Sequence, residues 1–163
     1  MNLINYLFSL SQVDDEDTSD NALQALVELK DHPDKNIRLA ISKRFICLIL
    51  NRNDVTDFAV LENFKDVHCE KCCCVKYVKT VGLSELAKSK NEEIRLWAIR
   101  ELLKLKNDES NKIRFIVVST IRNFSSLFLN RYSNLALEVN SAKKKWMSDK
   151  NEWIRSESII ISD

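Results

Sequence analysis

The chain has 163 residues with a single Gly (Gly82), a single Pro (Pro33), and 25 basic against 24 acidic side chains. Hairpins, nucleophile elbows and phosphate-cradling loops need Gly where φ turns positive or a ligand approaches the backbone, so this composition excludes most β folds and most nucleotide-binding folds. The near-neutral total hides a division, with a net charge of −5 over residues 1–66 and +6 over residues 67–163; such a bipolar chain does not demand a nucleic-acid partner.

The length suits one domain, residues 1–163, large enough to bury a core without metal or disulfides. Leu3 to Leu10 are apolar, but no Lys or Arg precedes them and Asp14-Asp15-Glu16-Asp17 follows, so this is not read as a secretory signal. Charges interrupt every apolar run, which argues against a membrane span. Five cysteines, four of them between Cys69 and Cys74, suit a reducing compartment, and the expected location is the cytoplasm.

In chain order, residues 1–10 are expected to form a short helix bearing Leu3, Ile4, Leu7, Phe8 and Leu10. Residues 11–19 form an acidic loop, and Asp20 is expected to cap a helix running to about residue 30. Asp31-His32-Pro33-Asp34 is a turn. From Lys35 onward, Ile37, Ala40, Ile41, Phe45, Leu48 and Ile49 fall on one helical stripe. Ile94, Trp97, Ala98, Leu102 and Leu105 repeat that series, as do Ile113, Ile116, Val117, Ile121, Phe124 and Phe128. An aliphatic-Arg pair opens each of these helices and recurs at Ile154-Arg155, so the arginines at 38, 95, 114 and 155 lie 57, 19 and 41 residues apart. These spacings are near multiples of one helix plus a turn, the mark of a stacked helical array.

Ala22 to Leu29, followed by Asp31-His32-Pro33-Asp34-Lys35-Asn36-Ile37-Arg38-Leu39-Ala40, resembles a HEAT repeat, and so does Leu83 to Lys88 followed by Asn91 to Ala98. A third copy over residues 142–155 keeps the charged turn but puts Glu157 and Ser158 where apolar residues are expected, and residues 54–81 fit only by length. The resemblance covers about two thirds of the chain. It implies an all-α, HEAT-like α-solenoid of about eight to ten antiparallel helices.

His68-Cys69-Glu70-Lys71-Cys72-Cys73-Cys74 contains a Cys-x-x-Cys pair but no second half to complete a zinc site. Cys69, Cys72, Cys73 and Tyr77 lie at core-stripe spacing, so packing is expected and no metal. The four arginines are expected to reach an Asp or a carbonyl in an adjacent turn rather than to bind phosphates. Lys143-Lys144-Lys145 reads as a solvated face. Asp14, Asp15, Glu16, Asp17 and Asp20 lack calcium-loop spacing; they are the candidate partner-binding residues, a negative field able to steer a basic protein.

No phosphate loop, nucleophile motif or i, i+4 metal-ligand pair is present, so catalysis, a cofactor and a small-molecule ligand are not expected. The expected function is a non-catalytic protein-binding module, an inhibitor or immunity-type protein that covers the cleft of a toxin such as a basic nuclease. The rival is a DNA-binding enzyme resembling the HEAT-type alkylpurine DNA glycosylases, for which Trp97, Trp146 and Trp153 would offer stacking faces.

Overall fold

The computed structural model describes residues 3–51, 63–64, 73–124 and 131–161. They form eight α-helices and no strand: α1 (Leu3–Leu10), α2 (Glu16–Glu28), α3 (Lys35–Asn51), α4 (Cys73–Leu86), α5 (Glu92–Lys104), α6 (Asn111–Arg122), α7 (Ser133–Trp146) and α8 (Glu152–Ile159). A 3-10 turn, Leu29–Asp31, extends α2. The chain divides into two compact units, Met1–Lys79 and Thr80–Asp163.

In the N-terminal unit, α1 packs on α2 and α3. The Ser19 hydroxyl donates to the Ser11 carbonyl at 2.9 Å, tying α2 to the end of α1. Arg44 on α3 donates to Asn5 Oδ1 at 2.7 Å and lies 4.7 Å above the Phe8 ring, so one guanidinium makes both a hydrogen bond and a cation–π contact with α1. Leu26, Ile41, Phe45, Leu48, Phe64 and Val75 form the buried interior.

In the C-terminal unit, α8 packs chiefly on α6, and α7 touches α5 and α8. Because Arg114 and Arg155 are 41 residues apart, α6 and α8 are equivalent helices of successive repeats lying side by side. Trp146 fills the interior at 1% exposure, and its indole N–H donates to the Lys106 carbonyl at 3.1 Å; the polar end of a large apolar side chain thus keeps a partner.

The stripes are turned slightly from the expected ones. On α5 the buried residues are Ile94, Ala98, Ile99, Leu102 and Leu103, with Trp97 and Leu105 only half-buried. On α6 they are Ile113, Val117, Val118, Thr120 and Ile121, with Ile116 half-buried; Phe128 lies outside the described residues. A helix flanked by neighbours in a stack is covered over a wider arc than a surface helix, which brings in the residue after each expected position. Ser158, at a position expected to be apolar, is fully buried and donates to the Arg155 carbonyl at 2.7 Å. Ser42 does the same to Arg38 at 3.0 Å. A small hydroxyl bonded back into its own helix substitutes for an alkyl group there.

Candidate functional site

The acidic segment is the first turn of α2 together with its cap. Asp15 has extended backbone angles, φ −73° and ψ 107°, and its carboxylate accepts the Thr18 N–H at 3.0 Å. The cap is therefore Asp15, not Asp20, and the helix begins five residues earlier than expected. Starting there puts Ser19, Ala22 and Leu26 on the buried side of α2, while the acidic first turn meets the positive end of the helix dipole. Thr18, through its hydroxyl first and its amide second, holds the Asp15 carboxyl below the usual carboxylate range. Asp14, Asp15, Glu16, Asp17 and Asp20 are all exposed. The first 29 residues contain no Lys or Arg, so no cation adjacent in sequence neutralises them.

The arginine series builds a repeated turn. Arg38 Nη1 donates to the carbonyls of His32 and Pro33 at 2.6 and 2.8 Å. Arg114 Nη1 reaches Asp108 and Glu109 at 2.7 and 3.0 Å, and Arg155 Nη1 reaches Asp149 and Lys150 at 2.6 and 3.1 Å. Arg95 Nη1 donates to Ser89 at 2.9 Å. Each guanidinium thus clamps the turn before its own helix. Arg114 adds a tie to another turn, donating from Nε and Nη2 to the two oxygens of Asp149 at 2.7 and 2.9 Å. That two-pronged bond lowers the Asp149 pKa and raises that of Arg114, in both cases chiefly through the hydrogen bonds between them.

Two further positions complete the turn. His32 Nδ1, Ser89 Oγ, Asp108 Oδ1 and Asp149 Oδ1 accept the amide two residues on, at 2.9 to 3.2 Å. Asn91 and Asn151 then cap α5 and α8 through their side-chain oxygens, and Asp34 accepts the Asn36 amide at 2.8 Å. The pattern of short acceptors six and four residues before each Arg is visible in the sequence, and it is the signal that would have located these turns.

The remaining candidates separate by exposure. Trp153 is 66% exposed, whereas Trp146 is buried and offers no stacking face. Lys144 and Lys145 are exposed and Lys143 is half-buried. Cys74 is exposed and Cys47 half-buried, while His68, Cys69 and Cys72 lie outside the described residues. Tyr77 is 44% exposed, so it is not on the core stripe of α4, which runs instead through Val75, Leu83 and Leu86. Among the described residues no group of three or more His, Cys, Asp or Glu is arranged to hold a metal, and no helix is long and apolar enough to cross a membrane.

The chain matches no protein-family model and no curated protein sequence. It is similar in structure to a designed armadillo repeat protein in complex with the peptide (KR)4, with a TM-score of 0.53 and 13% identity, covering 99% of this chain and 80% of that one. A second designed armadillo repeat protein gives a TM-score of 0.51 and 15% identity, over 97% of this chain and 80% of that one. The fold is therefore an all-α helical-repeat solenoid of the armadillo/HEAT kind.

Proposed function

We propose that the chain is a cytoplasmic, non-catalytic protein-binding module that engages a basic partner through Asp14, Asp15, Glu16, Asp17 and Asp20. In its specific form the proposal is an inhibitor or immunity-type protein that covers the cleft of a toxin such as a nuclease. The observation that carries it is the geometry of the acidic segment. Five carboxylates are exposed at one cap and first turn, with no ion pair among the described residues and no cation in the first 29 positions. Such a field accelerates encounter with a cationic surface. The likeness to a repeat scaffold solved with a basic peptide supports a basic chain as a compatible ligand for this kind of fold.

The test is capture from native lysate with the full chain, followed by association kinetics against the recovered protein at low and high salt. The expected result is one stoichiometric basic protein whose association rate falls about tenfold or more in a D14K/D17K/D20K variant that leaves the Asp15 cap intact. Recovery of nucleic acid, with a salt-dependent shift of duplex DNA, would instead support the DNA-binding enzyme resembling alkylpurine DNA glycosylases and overturn the proposal.

A further inference from the structure

Two turns of the C-terminal unit, each taken with the helix end before it and the helix start after it, carry its excess charge. Residues 101–114 and 143–155 hold nine basic and five acidic side chains, a net +4, and the rest of residues 80–163 is neutral. The fold brings the two segments together, because Arg114 on one bonds Asp149 on the other at 2.7 and 2.9 Å and the Trp146 indole donates to the Lys106 carbonyl at 3.1 Å. Most of the acids there are already engaged: Asp149 by Arg114, Asp108 by the Ser110 amide and Glu101 by Lys104. Glu109 and Glu152 are exposed, against exposed Lys112, Lys144, Lys145 and Lys150. Among these charges Trp153 is 66% exposed and Met147 52%. The exposure of Trp153 belongs to its place in the repeat. Lys112, 41 residues earlier, holds the same position on α6 and is exposed as well, although α8 packs on α6. A solvated helix start does not call for an indole there.

We propose that this basic end of the C-terminal unit lies on an anionic lipid surface, with the lysines over the headgroups and Trp153 and Met147 entering the interface. Charge and side-chain type select the occupant. A lysine close to an anionic leaflet strengthens partitioning about fivefold, and its alkyl stem lies along apolar surface while the ammonium stays in water. Trp settles at headgroup depth, and a thioether gains from hydrocarbon contact but not from a phosphate. Arginine is the side chain that grips a single phosphate or carboxylate with two prongs. Here Arg114 and Arg155 use Nη1 to hold carbonyls of their own turns, and Arg114 gives its other nitrogens to Asp149. What the end presents is a cluster of point charges around two apolar side chains, which suits a diffuse anionic surface better than a nucleic acid or an acidic protein.

Flotation of the full chain with phosphatidylcholine vesicles containing about a third phosphatidylserine, against vesicles of phosphatidylcholine alone, tests this. Binding is expected to the anionic vesicles only and should weaken with salt. It should also shift tryptophan emission to the blue, a change reported by Trp153 because Trp146 is buried and Trp97 half-buried. K144E/K145E/K150E should lower partitioning about a hundredfold or more, whereas Trp153→Phe should largely keep binding and abolish the shift. All four positions are exposed, and far-UV circular dichroism checks that the variants stay folded. A wild-type chain that stays off the anionic vesicles, a triple variant that binds as wild type does, or a shift that survives Trp153→Phe would overturn the proposal. Preference for a thymidine oligonucleotide or for polyglutamate over the vesicles would overturn it too, in favour of a nucleic acid or an acidic protein. These substitutions leave the acidic segment of α2 untouched, so failure here and failure to capture a basic protein are separate results.

Discussion

The turn that opens α3 in the N-terminal unit and the turn that opens α8 in the C-terminal unit make the same clamp but finish it differently. In both, an Arg Nη1 holds two carbonyls of its own turn, and the side chain six residues earlier accepts an amide, through His32 Nδ1 in one and Asp149 Oδ1 in the other. Asp149 has acceptor capacity left for Arg114. His32, with one ring nitrogen already accepting, has none to offer a guanidinium, because the other nitrogen of a neutral imidazole is a donor. The clamp inside a turn is therefore local and portable. The tie between turns needs a carboxylate and a neighbour brought near by the fold.

The largest effect is expected where the C-terminal unit depends on packing. Trp146→Ala removes its bulkiest buried side chain and the bond to the Lys106 carbonyl, and should lower unfolding free energy by about 3–5 kcal/mol in urea titration. A loss under 1 kcal/mol would mean that the unit does not rest on this core.

Next comes the comparison itself. Asp149 and Arg114 have side chains only 10% and 15% exposed, so Asp149→Ala strands a largely buried cation and should cost about 2–4 kcal/mol. His32→Ala removes only an amide acceptor and should cost about 1 kcal/mol. Equal losses would show that the tie between turns adds nothing. The pH dependence has a definite sign. The folded pKa of Asp149 is lowered below an unfolded value near about 3.9, so its contribution is fully present above that pH and is lost as pH falls through the folded value. Asp149→Asn, which can still accept the Asn151 amide, should flatten that part of the acid limb.

The arginines show why the fold was more legible than its bonds. The Ile-Arg phrase marks helix starts because side-chain periodicity and residue type are written in the sequence, and α3, α5, α6 and α8 each begin two residues before it. The acceptors for those arginines are backbone carbonyls, which every residue carries, so residue type does not single them out. Asp15 was missed for a related reason. Five carboxylates lie within seven positions, and choosing the cap among them depends on which start buries Ser19, Ala22 and Leu26, a decision made by packing. The exposure of the acidic segment was readable from charge alone; no residue in it specifies the partner.

A smaller effect should follow from breaking the clamp at the turn that opens α3. Arg38→Ala removes two bonds to carbonyls at the start of α3 and should cost about 1–2 kcal/mol, visible as a lower urea midpoint with an unchanged slope. Arg114→Ala removes the same kind of clamp and the tie to Asp149 together, so it should exceed Arg38→Ala. The excess, isolated by a double-mutant cycle with Asp149, is the coupling between turns.

The smallest expected effect tests whether the acidic segment is structural at one position and free at the others. Asp15→Ala takes an acceptor from the Thr18 amide and should lower Tm by a few degrees through fraying of α2, whereas Asp14→Ala and Asp20→Ala, neither of them the cap, should leave Tm nearly unchanged. The Asp15 carboxyl is held below its ordinary pKa, so the cap is complete above the ordinary carboxylate range and weakens as acid protonates it; the Tm difference between wild type and Asp15→Ala should therefore close at low pH. In binding the order should differ, because a partner attracted by the field senses Asp14 and Asp20 as well as Asp15. A cap effect confined to one residue and a charge effect shared by five are distinguishable by salt, which screens the second far more than the first.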